Sequence, residues 1–162
     1  METEKEVKIK KMVTIARALK EKNRVAGRLA KARQLVGAEN SNEKKIPRRV
    51  DVVSVRDEAR VLAERLIAIK TAIAVANEPI VGKIIELDEV KSAISWLNGL
   101  NVREGVFEEA NYGGKVVKEY EAAIGKDDIL KQVDALQRRA DDLQDALDEF
   151  NASTKVEIEV DG

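Results

Sequence analysis

Seven apolar residues late in the chain, Ile129, Val133, Leu136, Ala140, Leu143, Leu147 and Phe150, are separated by alternating steps of four and three. That spacing keeps them on one face of a helix and makes a continuous heptad seam, the pattern by which one helix packs against another. Val55, Ala59, Leu62, Leu66, Ile69, Ile73 and Ala76 repeat it. Near the start, Met12, Ile15, Leu19, Ala26, Leu29 and Val36 follow the same spacing, with Lys22 and Arg33 interposed at seam positions. A long polar side chain there lowers stability but can fix register or oligomer number. A weaker stripe, Leu87, Val90, Ile94 and Leu97, fades at Asn101 and Glu104. After Asn151 the period changes to two. Val156, Ile158 and Val160 alternate with Lys155, Glu157 and Glu159, which predicts a half-buried strand.

These patterns predict a mainly α protein: long antiparallel helices forming a coiled-coil-like hairpin or bundle, with a small β element that includes a C-terminal strand. A single domain spanning 1–162 accommodates them. Residues 1–37 hold the first helix, from about residue 4, with Gly37 placed as its C-cap. Residues 38–53 form a basic loop and a short strand through Val50, Val52 and Val53. Residues 54–110 form a helical hairpin. Its second helix opens at Ser54, with Asp57 at the capping-box distance, and ends near Asn77 before Pro79. Its third helix, about Leu87 to Ala110, is weakened at Gly99 and Gly105, so a kink or an early end is expected there. Residues 111–125 hold the Tyr112-Gly113-Gly114 turn and a strand over 115–124. Residues 126–151 form the heptad helix, opened by Asp127 and Asp128, and 155–160 the terminal strand. That strand needs a mate: 115–124, 50–53 or a neighbouring subunit.

Composition narrows the chemistry. Cysteine and histidine are both missing from the 162 residues. This removes thiolate and imidazole zinc sites, cysteine nucleophiles and Ser-His triads. Aromatic residues are 3% of the chain, so its core suits helix seams better than a deep aromatic-lined pocket. The charge is nearly balanced at −1 but unevenly distributed. Residues 1–50 carry fifteen Lys and Arg against six carboxylates; residues 51–162 carry fourteen against twenty-four. The charged opening METEKEVKIKK has no signal-peptide pattern, and no stretch reaches the ~20 apolar residues of a membrane span. A cytoplasmic protein is expected.

The stretch ALKEKNRVAGRLAKARQLV, the stretch DEARVLAERLIAIKTAIAVAN and the closing LKQVDALQRRADDLQDALDEFNASTKVEI together resemble the septicolysin-like family of small, mostly uncharacterised bacterial and phage helical proteins. The resemblance covers most of the chain in architecture. It implies an opening helix rich in Leu and Arg, a second helix ending in an Asn-containing turn, and a heptad helix running into a short extended tail. It brings no catalytic residues to this sequence.

Three sets of residues remain as candidate sites. Lys44, Lys45, Arg48 and Arg49, with Arg24, Arg28 and Lys31, offer phosphate contacts. No aromatic is interleaved to stack on bases. Asp141, Asp145, Asp148 and Glu149 suggest a hard-cation site, but Asp134, Asp141 and Asp148 repeat every seven residues, and a solvated acidic stripe accounts for them. No metal or cofactor is expected. The seam residues Val55, Leu62, Leu66, Ile69, Ile73, Ile129, Val133, Leu136, Leu143, Leu147 and Phe150 are the expected packing and oligomer surface, and Val156, Ile158 and Val160 the expected strand-pairing surface. The sequence therefore reads as a non-enzymatic, homo-oligomeric structural or assembly protein, with a bacterial or phage-encoded particle as its setting. The alternative is a nucleic-acid-associated accessory protein using the basic first helix and loop.

Overall fold

Helix-forming stretches separated by capping and turn residues give four α-helices and four short strands in the computed structural model, which describes residues 8–161. The order is β1 (Lys8–Thr14), α1 (Ile15–Glu39), α2 (Val52–Ala76), a 3-10 turn (Glu78–Ile80), α3 (Val81–Asn98), β2 (Gly105–Asn111), β3 (Gly114–Tyr120), α4 (Lys126–Ser153) and β4 (Lys155–Asp161). The strands form two separate antiparallel pairs, β1 with β4 and β2 with β3. The described residues divide into two compact units, 8–80 with 148–161, and 81–147.

In the first unit, α1 and α2 pack on each other and on the β1–β4 pair. Thr14 caps α1 by accepting from the Arg17 N–H, and Asp51 caps α2 by accepting from the Ser54 N–H. The core joins Ile15, Ala18, Val25 and Leu29 of α1 to Leu62, Ile69 and Ile73 of α2 and to Val156 and Ile158 of β4. Phe150, Leu66 and Val160 pack against its edge. On the sheet, Val13 lies opposite Val156, Lys11 opposite Ile158 and Ile9 opposite Val160. The other face sets Lys10 opposite Glu159, an opposite-charge cross-strand pair. The Ile15 N–H donates to the Thr154 carbonyl at 2.9 Å, tying the start of α1 to the α4–β4 junction.

The second unit comprises α3, the β2–β3 hairpin and α4 as far as Leu147. Glu86 of α3 pairs with Arg139 of α4 at 2.6 Å. Buried positions are Leu87 and Leu97 on α3, and Ile129, Ala140, Leu143 and Leu147 on α4. The hairpin closes with Asn111 opposite Gly114. Gly114 (φ +128°) and Gly105 (φ +99°) take backbone angles in which a Cβ is strained.

Several expected boundaries are corrected. Residues 8–14 are a strand, although the helical spacing had extended through Met12; residues 4–7 of that expected helix lie outside the described residues. The segment KIKKMVT alternates between two faces, and pairing with β4 outweighs its helical period. The mate of the terminal strand is thus β1, none of the three candidates, so Val156, Ile158 and Val160 are paired within the chain. No strand forms at 50–53, because Asp51 caps a helix that begins at Val52, before Ser54. Gly37 lies inside α1, which runs to Glu39. Arg48 serves as the cap instead, donating to the carbonyls of Glu39 (2.6 Å) and Asn40 (3.2 Å). The third helix begins at Val81 and ends at Asn98, ahead of the two glycines, and its expected last turns form β2.

Candidate interaction surfaces

A buried ion pair links the two helices of the first unit. Glu21 lies among the core positions of α1, and Arg65 holds the equivalent place on α2. Their side chains are 10% and 4% exposed and meet at 2.5 Å. Arg24, one helical turn on, braces the same carboxylate at 2.6 Å, and Arg65 also donates to the Glu159 carbonyl at 3.1 Å. One guanidinium therefore fixes α1, α2 and β4 relative to one another. A cleft of about 390 Å³ beside it is lined by Lys10, Glu64, Arg65, Ile69, Glu157 and Ile158.

The sequence places the polar seam positions of α1 at Lys22 and Arg33, but the polar group in the buried stripe is Glu21. The α1 face toward the core runs Ala18, Glu21, Val25, Leu29 and Ala32. The heptad spacing shares Ile15 and Leu29 with that face, and its other members within α1 lie beside it, Leu19, Lys22, Ala26 and Val36 half-buried and Arg33 exposed. At its far end Arg33 and Val36 meet Arg56, Ala59, Arg60 and Ala63 of α2 around an open groove of about 400 Å³.

The basic loop residues Lys44, Lys45, Arg48 and Arg49 are exposed, but Arg48 is engaged at the end of α1. Arg24 and Arg28 are engaged too, with Glu21 and with Glu58 (3.2 Å). The expected phosphate patch is thus partly committed to internal contacts. The acidic residues Asp141, Asp145, Asp148 and Glu149 lie exposed along α4, and among the described residues no group of three or more carboxylates is placed to hold a metal ion. Leu62, Ile69 and Ile73 are buried on α2, with Val55 and Leu66 half-buried. On α4, Ile129, Leu143 and Leu147 are buried and Val133, Leu136 and Phe150 half-buried.

Sequence reading missed a cluster on the hairpin. The Arg103 guanidinium stacks over Phe107 (4.5 Å) and Tyr120 (4.3 Å). It also pairs with Glu109 at 2.7 Å. Glu109 further accepts from the Tyr120 hydroxyl (2.5 Å) and from Lys118 (2.8 Å). Those donors, Lys118 first, then Tyr120 and Arg103, pull the Glu109 carboxyl down to about 2. The same contact raises Lys118. Two strands alone make a marginal sheet, and this cluster cross-braces them. Its polar groups satisfy one another, which suits a brace rather than a binding site.

α3 is apolar around much of its circumference. Val81, Ile84, Ile85 and Trp96 are exposed, Ile85 at 60% and Trp96 at 61%, although Leu87 and Leu97 are buried. Ile84, Ile85, Leu87, Asp88 and Lys91 line a shallow depression on it. A helix that is apolar on several sides is normally covered on several sides. Among the described residues no helix is long and apolar enough to cross a membrane. The chain matches no family model, no curated protein and no solved structure.

Proposed function

We propose that this protein is a non-enzymatic structural or assembly component that works as a homo-oligomer, with a bacterial or phage-encoded particle as its setting. The observation that carries the reading is the open apolar face of α3. A second copy is the occupant that the charges on that face favour. Val81, Ile84, Asp88, Lys91 and Ser95 are spaced by threes and fours along one side of the helix. When two such helices cross antiparallel about a two-fold axis, Asp88 of one copy faces Lys91 of the other, twice, and Ile84 of each copy meets Ser95 of the other. In the same reading, α1 and α2 form a coiled-coil-like hairpin. The lack of His and Cys agrees with a role that needs no near-neutral proton shuttle or thiol nucleophile.

Sedimentation velocity across micromolar concentrations tests this reading. The wild-type chain is expected to sediment as an oligomer, and Ile85→Glu, an exposed position, as a folded monomer. A wild-type monomer throughout that range would overturn it. The nucleic-acid alternative separates on salt. Phosphate-driven binding falls steeply as salt rises, whereas assembly through apolar helix faces persists.

A further inference from the structure

The open groove at the α1–α2 end differs from α3 in both place and chemistry. Its floor is Val36, Ala59 and Ala63, all half-buried, the two alanines packed against the core beneath. Its rim is three arginines, Arg33, Arg56 and Arg60, all exposed. Arg56 has a hydrogen-bonded neighbour in Asp57 at 2.9 Å, on its own helix. Small residues at Ala59 and Ala63, one turn apart, allow a third backbone to approach closely. The rim excludes a basic or purely apolar visitor.

The sequence supplies an independent reason to expect a helix there. Of the heptad spacing of α1, Ile15, Leu19 and Leu29 are taken up by the core, whereas Lys22, Ala26 and Val36 stay half-buried and Arg33 exposed. A seam left half-covered after its own hairpin has formed remains available to a further helix. Its polar positions, Lys22 and Arg33, are both basic, and α2 adds Arg56 and Arg60. The complement is a helix with small or branched apolar residues along one stripe and carboxylates flanking it. A phosphate backbone would satisfy the arginines but leave the apolar floor uncovered, and no aromatic lines the groove to stack a base.

We infer that the groove formed by Arg33, Val36, Arg56, Ala59, Arg60 and Ala63 is a docking site for an acidic amphipathic helix of a partner protein. Binding follows the helix-in-groove mode, in which the apolar stripe supplies affinity and the arginine rim selects for carboxylates and against basic helices.

The test uses the full-length protein and fluorescently labelled synthetic helices. One probe carries Leu and Ala along a heptad seam flanked by Glu. A second replaces each Glu with Lys, and a third replaces each seam Leu with Ser. Anisotropy is expected to show micromolar binding of the acidic probe, at least tenfold weaker binding of the Lys probe, and loss of binding with the Ser probe. Arg33→Glu and Arg60→Glu, both at exposed positions, should weaken the acidic probe at least tenfold. Lys44→Glu/Lys45→Glu, in the α1–α2 loop and outside the groove lining, should weaken it by less than threefold. Equal binding after arginine reversal, equal loss from the loop variant, or no binding of the acidic probe would overturn the assignment. So would a single-stranded oligonucleotide that binds more tightly than the acidic helix and is lost on Arg33→Glu.

Discussion

Removing one partner of the Glu21–Arg65 pair should cost far more than removing a surface ion pair. Exposed pairs are worth about 0–1 kcal/mol, because water screens them and two long side chains must be ordered. Here both side chains are at most 10% exposed and the contact is 2.5 Å, so the buried regime applies. Breaking such a pair costs about 3–5 kcal/mol, since the survivor keeps its charge without its counterion. Glu21→Leu takes from Arg65 the carboxylate it meets at 2.5 Å, while the Glu159 carbonyl stays in place, so a cost in this range is expected. Arg65→Met is milder, because Arg24 still holds Glu21 at 2.6 Å from the solvent side. The double variant Glu21→Leu/Arg65→Met removes both charges and should fall within about 1 kcal/mol of wild type, or above it. Urea unfolding followed by circular dichroism measures all three. With m of about 1–3 kcal/mol/M, the Glu21→Leu midpoint should drop by more than about 1 M. A Glu21→Leu cost below 1 kcal/mol, or a double variant as unstable as the two singles summed, would refute the argument.

Leu143, 2% exposed on α4, should lose about 2–5 kcal/mol on truncation to Ala, whereas Asp145→Ala, on the opposite, exposed side of the helix, should change stability by under about 0.5 kcal/mol in the same unfolding assay. The depressed Glu109 carboxyl favours the folded hairpin above its unfolded value of about 4.5, and that contribution is lost as pH falls toward about 2. Amide NMR signals of 105–120 should therefore disperse less over that window, and Glu109→Gln should remove the dependence. Arg48→Ala should speed hydrogen exchange in the last turn of α1 and leave α2 unchanged, because Arg48 satisfies the Glu39 and Asn40 carbonyls.

The heptad steps read from sequence locate α2 and α4 well, since a period sustained over six turns has few competing explanations. The terminal strand was equally legible, because strict alternation over six residues fits no helix. Its mate was not. Lys10 and Lys11 look helical when read forward into α1, and only the distant β4 makes KIKKMVT a strand. Glu21 was missed for a related reason. Two adjacent stripes on α1 both satisfy the three–four spacing, and periodicity alone does not say which faces the core. The arginine groove lies on the second stripe, so part of it, Arg33 and Val36, was visible as the end of an irregular seam. Its α2 half was not, because Arg56 and Arg60 look like ordinary exposed charges until α1 lies beside them. The Arg103 cluster left no local signal, since its members are spread over eighteen positions and meet only when the hairpin closes.

The β1–β4 ladder also sets an order of events. Its two strands are separated by every helix in the fold, so β1 must wait, during synthesis, for all four to be made. Closing a loop that long costs about 4 kcal/mol in chain entropy, and is offset only once α1 and α2 have built the surface that β4 covers. Until then β1 presents an unpaired backbone that any other extended chain could join. Lys10 and Lys11 place positive charge on that strand, and a second β1 approaching edge to edge would meet the same charges. The acidic residues Glu157 and Glu159 of β4 are the complement that relieves them, Glu159 directly opposite Lys10. The ladder's charge pattern thus acts first as a guard against premature pairing between nascent chains, and afterwards as part of the finished sheet.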